Sequence, residues 1–205
     1  MAKIKLTIQE LKQQKEALGR YERFLPTLQL KKMQLQMEAF RARSDLEETA
    51  TSEKNLFEEI GRWAAVFGED AGIGDLLSVD KVVVRWSNVA GVEIPRFVDV
   101  RFREQEYDLY ARPPWVDEAV KKIKELARIA EKARVQRRQL ELLEKELRTT
   151  VQRVNLFEKI MIPRTRDNIK RIQVYLADQQ AAAVVRGKIA KAKAERKRSS
   201  PARAS

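Results

Sequence analysis

Apolar residues in the first third of the chain recur at alternating steps of three and four. From Leu11 the steps reach Gln14, Leu18, Tyr21, Leu25, Leu28, Lys32, Leu35, Ala39, Ala42, Leu46, Thr49, Glu53, Leu56, Ile60 and Trp63. Twelve of these sixteen positions are apolar, and a 3.5-residue repeat held this long marks a coiled-coil seam. Thr7 followed by Glu10 has capping-box spacing, with Ile8 and Leu11 opening the pattern behind it. The pattern predicts a helix over about residues 8–67. Pro26 is its misfit, and a bend is expected there rather than a break, because Leu25 and Leu28 keep the phase.

Near Gly68 the period changes. Val82, Val84 and Trp86 alternate with Val83, Arg85 and Ser87, and later Val98, Val100 and Phe102 alternate with Asp99, Arg101 and Arg103. These are two strand signals of period two. Asn88 to Gly91 supply turn-compatible residues between them, while Pro95 suits an edge. A small hairpin is expected, too weak to stand alone and therefore leaning on the helix ends through Trp63, Phe67 or Trp115.

Pro113-Pro114 then marks a second helix start, with Asp117 and Glu118 in its first turn. Stepping from Ala119 gives Ile123, Leu126, Ala130, Ala133, Arg137, Leu140, Glu144, Leu147, Val151, Val154, Glu158 and Met161, of which ten of thirteen, Ala119 included, are apolar. Beyond Pro163 the stripe resumes with Ile169, Ile172, Leu176 and Val184. Two long helices joined by a short connection return along one path and pair antiparallel. The expected fold is mainly α: a long two-helix antiparallel coiled coil with a small β-hairpin cap in the middle of the chain. Its parts are an N-terminal helix in residues 1–67, a cap in 68–114, a C-terminal helix in 115–198 and a disordered tail in 199–205. The second helix outlasts its partner by roughly 20 residues, or about 30 Å, and this overhang from Leu176 to Arg198 is expected to insert into another protein.

Composition sharpens this picture. Charged residues make up 35% of the 205 residues, too many for a thick core and well suited to helices with one apolar stripe each. The net charge of +12 is concentrated at the end, where residues 186–205 carry eight basic residues against the single acid Glu195. Such a tail suits nucleic acid, acidic lipid or an acidic protein surface, and charge alone does not choose. No aromatic follows Tyr175 to stack on bases.

The catalytic and ligand-binding equipment is missing. With no Cys and no His, disulfides and the usual zinc sites are excluded, and acid–base chemistry near neutral pH would need a strongly shifted carboxylate or lysine. Gly187-Lys188 is the only Gly-Lys pair and lacks the earlier glycine of a phosphate-binding loop. Pairs such as Glu47/Glu48 and Glu58/Glu59 read as solvated helix faces. No catalytic residue, cofactor or metal is expected. The start of the chain lacks the apolar core of a signal peptide and no stretch reaches membrane-span length, so a cytoplasmic chain that meets a membrane only through partners is expected.

One segment is more specific. Arg153, Val154, Asn155 and Glu158 form an R-V-N-x-x-E core, followed by Ile162-Pro163 and a basic helix carrying Ile169 and Ile172. This closely resembles the C-terminal signature of the D subunit of the V-type/A-type rotary ATPases. Asn88, Gly91 and Pro95 are similar to that family's N-x-x-G-x-x-x-P turn between two short strands. Near the start of the first helix, only Leu30-Lys31-Lys32 answers to the family's basic stretch.

The resemblance implies a non-catalytic central rotor shaft, one copy per complex, on the cytoplasmic face of the membrane. Its implied partners are a hexamer of catalytic A and B subunits, a small F subunit and a funnel-shaped adaptor on the ion-translocating ring. Expected partner contacts are Arg153, Asn155, Glu158 and Pro163 in the signature, Asn88, Gly91 and Pro95 in the hairpin, and Arg186, Lys188, Lys191 and Lys193 in the overhang. Two other classes stay open on the residues alone. One is a stalk coiled coil of a protein-export ATPase; the other is a basic coiled coil associated with nucleic acid.

Overall fold

The computed structural model describes residues 4–67, 77–104 and 115–199. The expected start at Pro113-Pro114, residues 200–205 of the tail expected to be disordered over 199–205, and the side chains of Trp63 and Phe67 lie outside the described residues; Ser199 itself closes the last helix. In chain order the elements are helix α1 (Ile8–Phe67), strands β1 (Leu77–Val89) and β2 (Val92–Glu104), helix α2 (Val116–Asn155), a π-helical segment (Leu156–Met161) and helix α3 (Ile162–Ser199). This is the expected mainly α fold with a mid-chain hairpin. It divides into two compact units: Leu30–Val151, and a second made of Met1–Gln29 with Gln152–Ser205.

Helix α1 begins where the capping box places it. The Glu10 amide donates to Thr7 Oγ1 at 3.2 Å, and the Leu11 amide to the Thr7 carbonyl at 3.0 Å. The helix runs unbroken through Pro26, which is exposed. Every described seam position from Leu11 to Ile60 is buried or half-buried, including the polar Gln14, Lys32, Thr49 and Glu53. Buried Thr49 is satisfied by donating its hydroxyl to the Asp45 carbonyl at 2.8 Å, as a buried polar group requires.

In the unit Leu30–Val151, α1 and α2 pair antiparallel. Cross-helix ion pairs fix the direction: Lys31 meets Glu146, Arg43 meets Glu144, Glu53 meets Arg137 and Glu59 meets Lys122. The stepped seam of α2 needs a correction in this stretch. Leu140 and Leu147 are half-buried as expected, but the fully buried residues between and after them are Leu143 and Thr150, one place before Glu144 and Val151. Arg137 is exposed and Gln136 takes the inward place. The steps of three and four come in the opposite order, which a pattern rich in both Leu and long charged residues leaves undecided. Arg137 and Glu144 are consequently not seam defects. They flank the seam and reach α1, the arrangement that sets partner register in coiled coils.

The hairpin is antiparallel, with Val82 opposite Val100, Trp86 opposite Pro95 and Val89 opposite Val92. Each strand has 13 residues, enough to span about 43 Å. That length lets the ribbon run back along the helices. Its turn seats on a cluster of Leu35, Ala39, Ala42 and Leu143 with Ile94 at the centre, and Val89, Ala90 and Val92 packed around it. The apolar tip thus finds its cover far back from the end of α1, while the expected support of the hairpin through Trp63 and Phe67 falls on side chains outside the described residues.

Two register shifts interrupt the ladder, one beside Asp80 and one at Val98. The second breaks the expected alternation. Val98 is turned outward and 50% exposed, while Val100 remains buried at 3%. A bulge adds one residue to one strand and raises the local twist. Ile94 and Val100 accordingly pair with residues on opposite faces of β1, Ser87 and Val82, yet both are buried.

The second unit is also an antiparallel pair, between the first part of α1 and the chain after Gln152. Asn168 donates to Gln14 at 3.4 Å, Arg166 to Glu22 at 2.7 Å, and the Tyr21 and Phe157 rings lie 5.4 Å apart, tilted by 34°. Among the described residues, Val154, Ile162, Thr165, Asn168 and Ile172 are its buried side chains. Here Phe157, not Glu158, points inward. The π-helical segment has a local cause. Pro163 has no amide hydrogen, and its ring would strike the carbonyl four residues back. Widening the preceding turn relieves both problems, and the Ile162 amide donates to the Phe157 carbonyl, five residues back.

Candidate functional site

The residues singled out from the sequence fall into three places, and the structure does not gather them into one pocket. The signature segment lies across the end of α2, the π-helical turn and the start of α3. Arg153, Asn155, Glu158 and Pro163 are all exposed, while Val154 between them is 3% exposed and belongs to the seam. The apolar members of the signature hold the helix pair and the polar members face outward. Pro163 also lines a shallow groove with Ile4, Leu6, Ile160 and Ile172.

The hairpin residues act on the turn. Ala90 and Gly91 both have positive φ, 50° and 82°, the two-residue geometry whose twist matches that of antiparallel strands. Asn88 is not a turn residue as expected but a strand residue opposite Glu93, and its Oδ1 accepts the Gly91 amide at 3.0 Å. Gly91 is exposed, and a Cβ there would stand 3.8 Å from Lys31 Nζ. Pro95 is buried opposite Trp86, so its role is to pack the ribbon.

The third place is the last part of α3. From Ala177 to Arg196 every side chain is exposed, including Arg186, Lys188, Lys191 and Lys193. Val184, expected to continue the stripe, is 59% exposed. Among the described residues, no other element buries this length of helix.

No helix among the described residues is long and apolar enough to cross a membrane. The sequence profile of the ATP synthase D subunit matches residues 10–192. That match takes in nearly all of α1, the hairpin, α2 and most of α3, including most of its exposed final stretch.

This chain belongs to the ATP synthase D subunit family.

Individual relatives agree along most of their length. A V-type ATP synthase D subunit from Borreliella burgdorferi is 44% identical over 191 residues, covering 93% of this chain and 95% of the relative. The V-type ATP synthase D subunit of Chlamydia pneumoniae is 35% identical over 196 residues, covering 94% and 93%. That of Chlamydia trachomatis serovar L2 is 36% identical over 197 residues, covering 94% and 96%. Within this member of the family, stepping along a single seam missed one group of exposed residues: Leu30, Met33, Met37 and Phe40. They are spaced by three, four and three, so a second pass in another phase would have found them.

Proposed function

We propose that this chain is the central-stalk rotor subunit of a V/A-type rotary ATPase, carrying torque between a catalytic A/B hexamer and the membrane ion-translocating ring. Membership of the D subunit family supports the reading. The observation that carries it in this structure is the helix from Ala177 to Arg196, solvent-exposed on every side and largely within the family-matched region. A shaft whose tip turns inside a hollow hexamer needs such a stretch, covered by partners rather than by its own chain. Its cations Arg186, Lys188, Lys191 and Lys193 suit a bearing lined with complementary charge.

In this reading the chain has no catalytic role and works in one copy per hexamer. The small F subunit and a funnel-shaped adaptor hold the other end, and the chain meets the cytoplasmic face of the membrane only through them. Paired helices resist bending better than one. The outward Arg153, Asn155 and Glu158 and the hairpin turn at Asn88 and Gly91 are proposed partner contacts. Polar, solvated faces suit contacts that break and reform.

The test is size-exclusion with light scattering of the full chain mixed with the A/B hexamer and the small stalk subunit, with ATPase activity measured on each peak. One copy per hexamer with altered turnover supports the rotor reading. Free migration of the chain overturns it. Deleting residues 186–205 is expected to weaken assembly or uncouple hydrolysis from ion transport; unchanged assembly and coupling would overturn the bearing role.

A further inference from the structure

Helix α1 is apolar on two opposite faces over one short stretch. Leu35, Ala39 and Ala42 face the core cluster at 0%, 8% and 3% exposure, while Leu30, Met33, Met37 and Phe40 are 51%, 54%, 52% and 75% exposed. At ~100° per residue, the second set is centred roughly 180° from the first. All of it lies within the unit Leu30–Val151.

From this we infer that Leu30, Met33, Met37 and Phe40 form a second seam, which receives an amphipathic helix of another protein. Three features select that occupant. The steps of three, four and three are the spacing that knobs-into-holes packing uses, so the complementary shape is a helix. The flanks, Gln29, Gln34 and Gln36, are exposed and uncharged, and the adjacent Arg41 is taken by Glu38 at 3.0 Å. Further along, the same side of α1 carries charge at Glu47 and Glu48. Loss of charge with enrichment in Met and aromatic side chains is the compositional mark of an interface core, so the arriving helix presents an aliphatic face without charged flanks.

A second copy of this chain fits poorly. The seam covers less than two heptads, and its four side chains expose on the order of 500 Å², short of the ~800 Å² per partner of a free-standing complex. Bringing two chains of net charge +12 together adds repulsion. The occupant is therefore a helix of a protein that also holds the chain elsewhere. This inference relies on the rotor reading for its choice of partners.

The chain has no cysteine, so Met37→Cys and Glu48→Cys each provide a unique thiol on the same side of α1. Alkylation of each is timed in the free chain, with phospholipid vesicles, and in the complex with the A/B hexamer and the small stalk subunit. Because thiol reactivity follows access, the rate at Met37→Cys is expected to fall by about tenfold in the complex and by less than about twofold at Glu48→Cys. Equal rates at Met37→Cys with and without partners, in a complex that co-elutes, overturn the inference and leave the rotor reading intact. Equal protection at both positions overturns the seam in favour of general enclosure. Protection in the free chain with a doubled mass assigns the seam to a second copy, and protection by vesicles alone assigns it to lipid; either overturns the inference. Failure to co-elute defeats the rotor reading and this inference with it.

Discussion

Lys31 Nζ donates to Glu146 Oε1 at 2.8 Å, joining α1 to α2 beneath the hairpin turn. Both side chains are 30% exposed. The same ammonium lies 3.8 Å from the place where a Cβ on Gly91 would stand. One cation thus ties the two helices of the unit Leu30–Val151 close beneath the hairpin turn. The Lys31→Met and Glu146→Gln single and double variants are expected to show a coupling of about 1 kcal/mol in urea unfolding, above the usual worth of a fully exposed pair. Additive losses would mean that the pair is ornamental to stability.

Gly91 has φ 82°, and a methyl group added there would meet nothing nearer than Lys31 Nζ. Space is therefore no obstacle, and the backbone sets the cost. Gly91→Ala is expected to lose about 1–2 kcal/mol, the penalty of placing a Cβ in left-handed backbone. The midpoint of urea unfolding should fall with an unchanged slope. Because Ala90 already sits at φ 50°, a second strained residue beside it should not be absorbed silently.

Gln136 Oε1 is buried without a hydrogen-bond partner among the described residues. A neutral acceptor stranded in this way opposes folding by about 1–3 kcal/mol. Gln136→Met keeps the length of the side chain and removes the acceptor, so thermal unfolding is expected to shift upward. A downward shift would show that the amide is paired in solution.

Lys122 donates to Glu59 at 3.0 Å. That hydrogen bond, then the charge of Glu59, raises the Lys122 pKa above the ordinary 10.5; desolvation opposes the rise, and Glu125 and Glu118 add to it. For a group whose folded pKa is raised, the stabilising contribution is complete below the unfolded value and lost as pH climbs through the folded one. An NMR titration should place the Lys122 midpoint above 10.5, and Glu59→Gln should lower it. An unmoved midpoint would remove Glu59 as the cause.

The sequence and the structure agree most closely on α1. Its N-cap at Thr7 and its seam from Leu11 to Ile60 are all where the sequence pattern puts them, because one continuous stripe faces a single partner helix in each unit. Helix α2 was legible in kind but not in detail. Where Leu142, Leu143 and Glu144 stand together, period alone does not say which of two adjacent positions turns inward. The seat of the hairpin was hidden because it depends on a non-local match between the apolar tip at Val89–Ile94 and Leu35–Ala42. The outward Val98 follows from a bulge with no residue signature. In the signature segment, Pro163 announced a disturbance, and the answering π turn needed the backbone to be seen. Among the candidate contacts, Pro95 alone is buried.

The stretch from Ala177 to Arg196 gains nothing by burial within its own chain, so its helicity rests on local preference. Ala177, Ala181, Ala182, Ala183, Ala190, Ala192 and Ala194 recur among Lys and Arg there, and these are among the strongest helix formers. In the proposed rotor reading, a host cavity would receive this segment with part of its backbone entropy already surrendered, so association would begin from a partly preorganised shape. The same stretch is weakly cooperative, because short unsupported helices are marginal in water. Warming should loosen it well before the two packed units, leaving affinity for the host more sensitive to temperature than the fold itself.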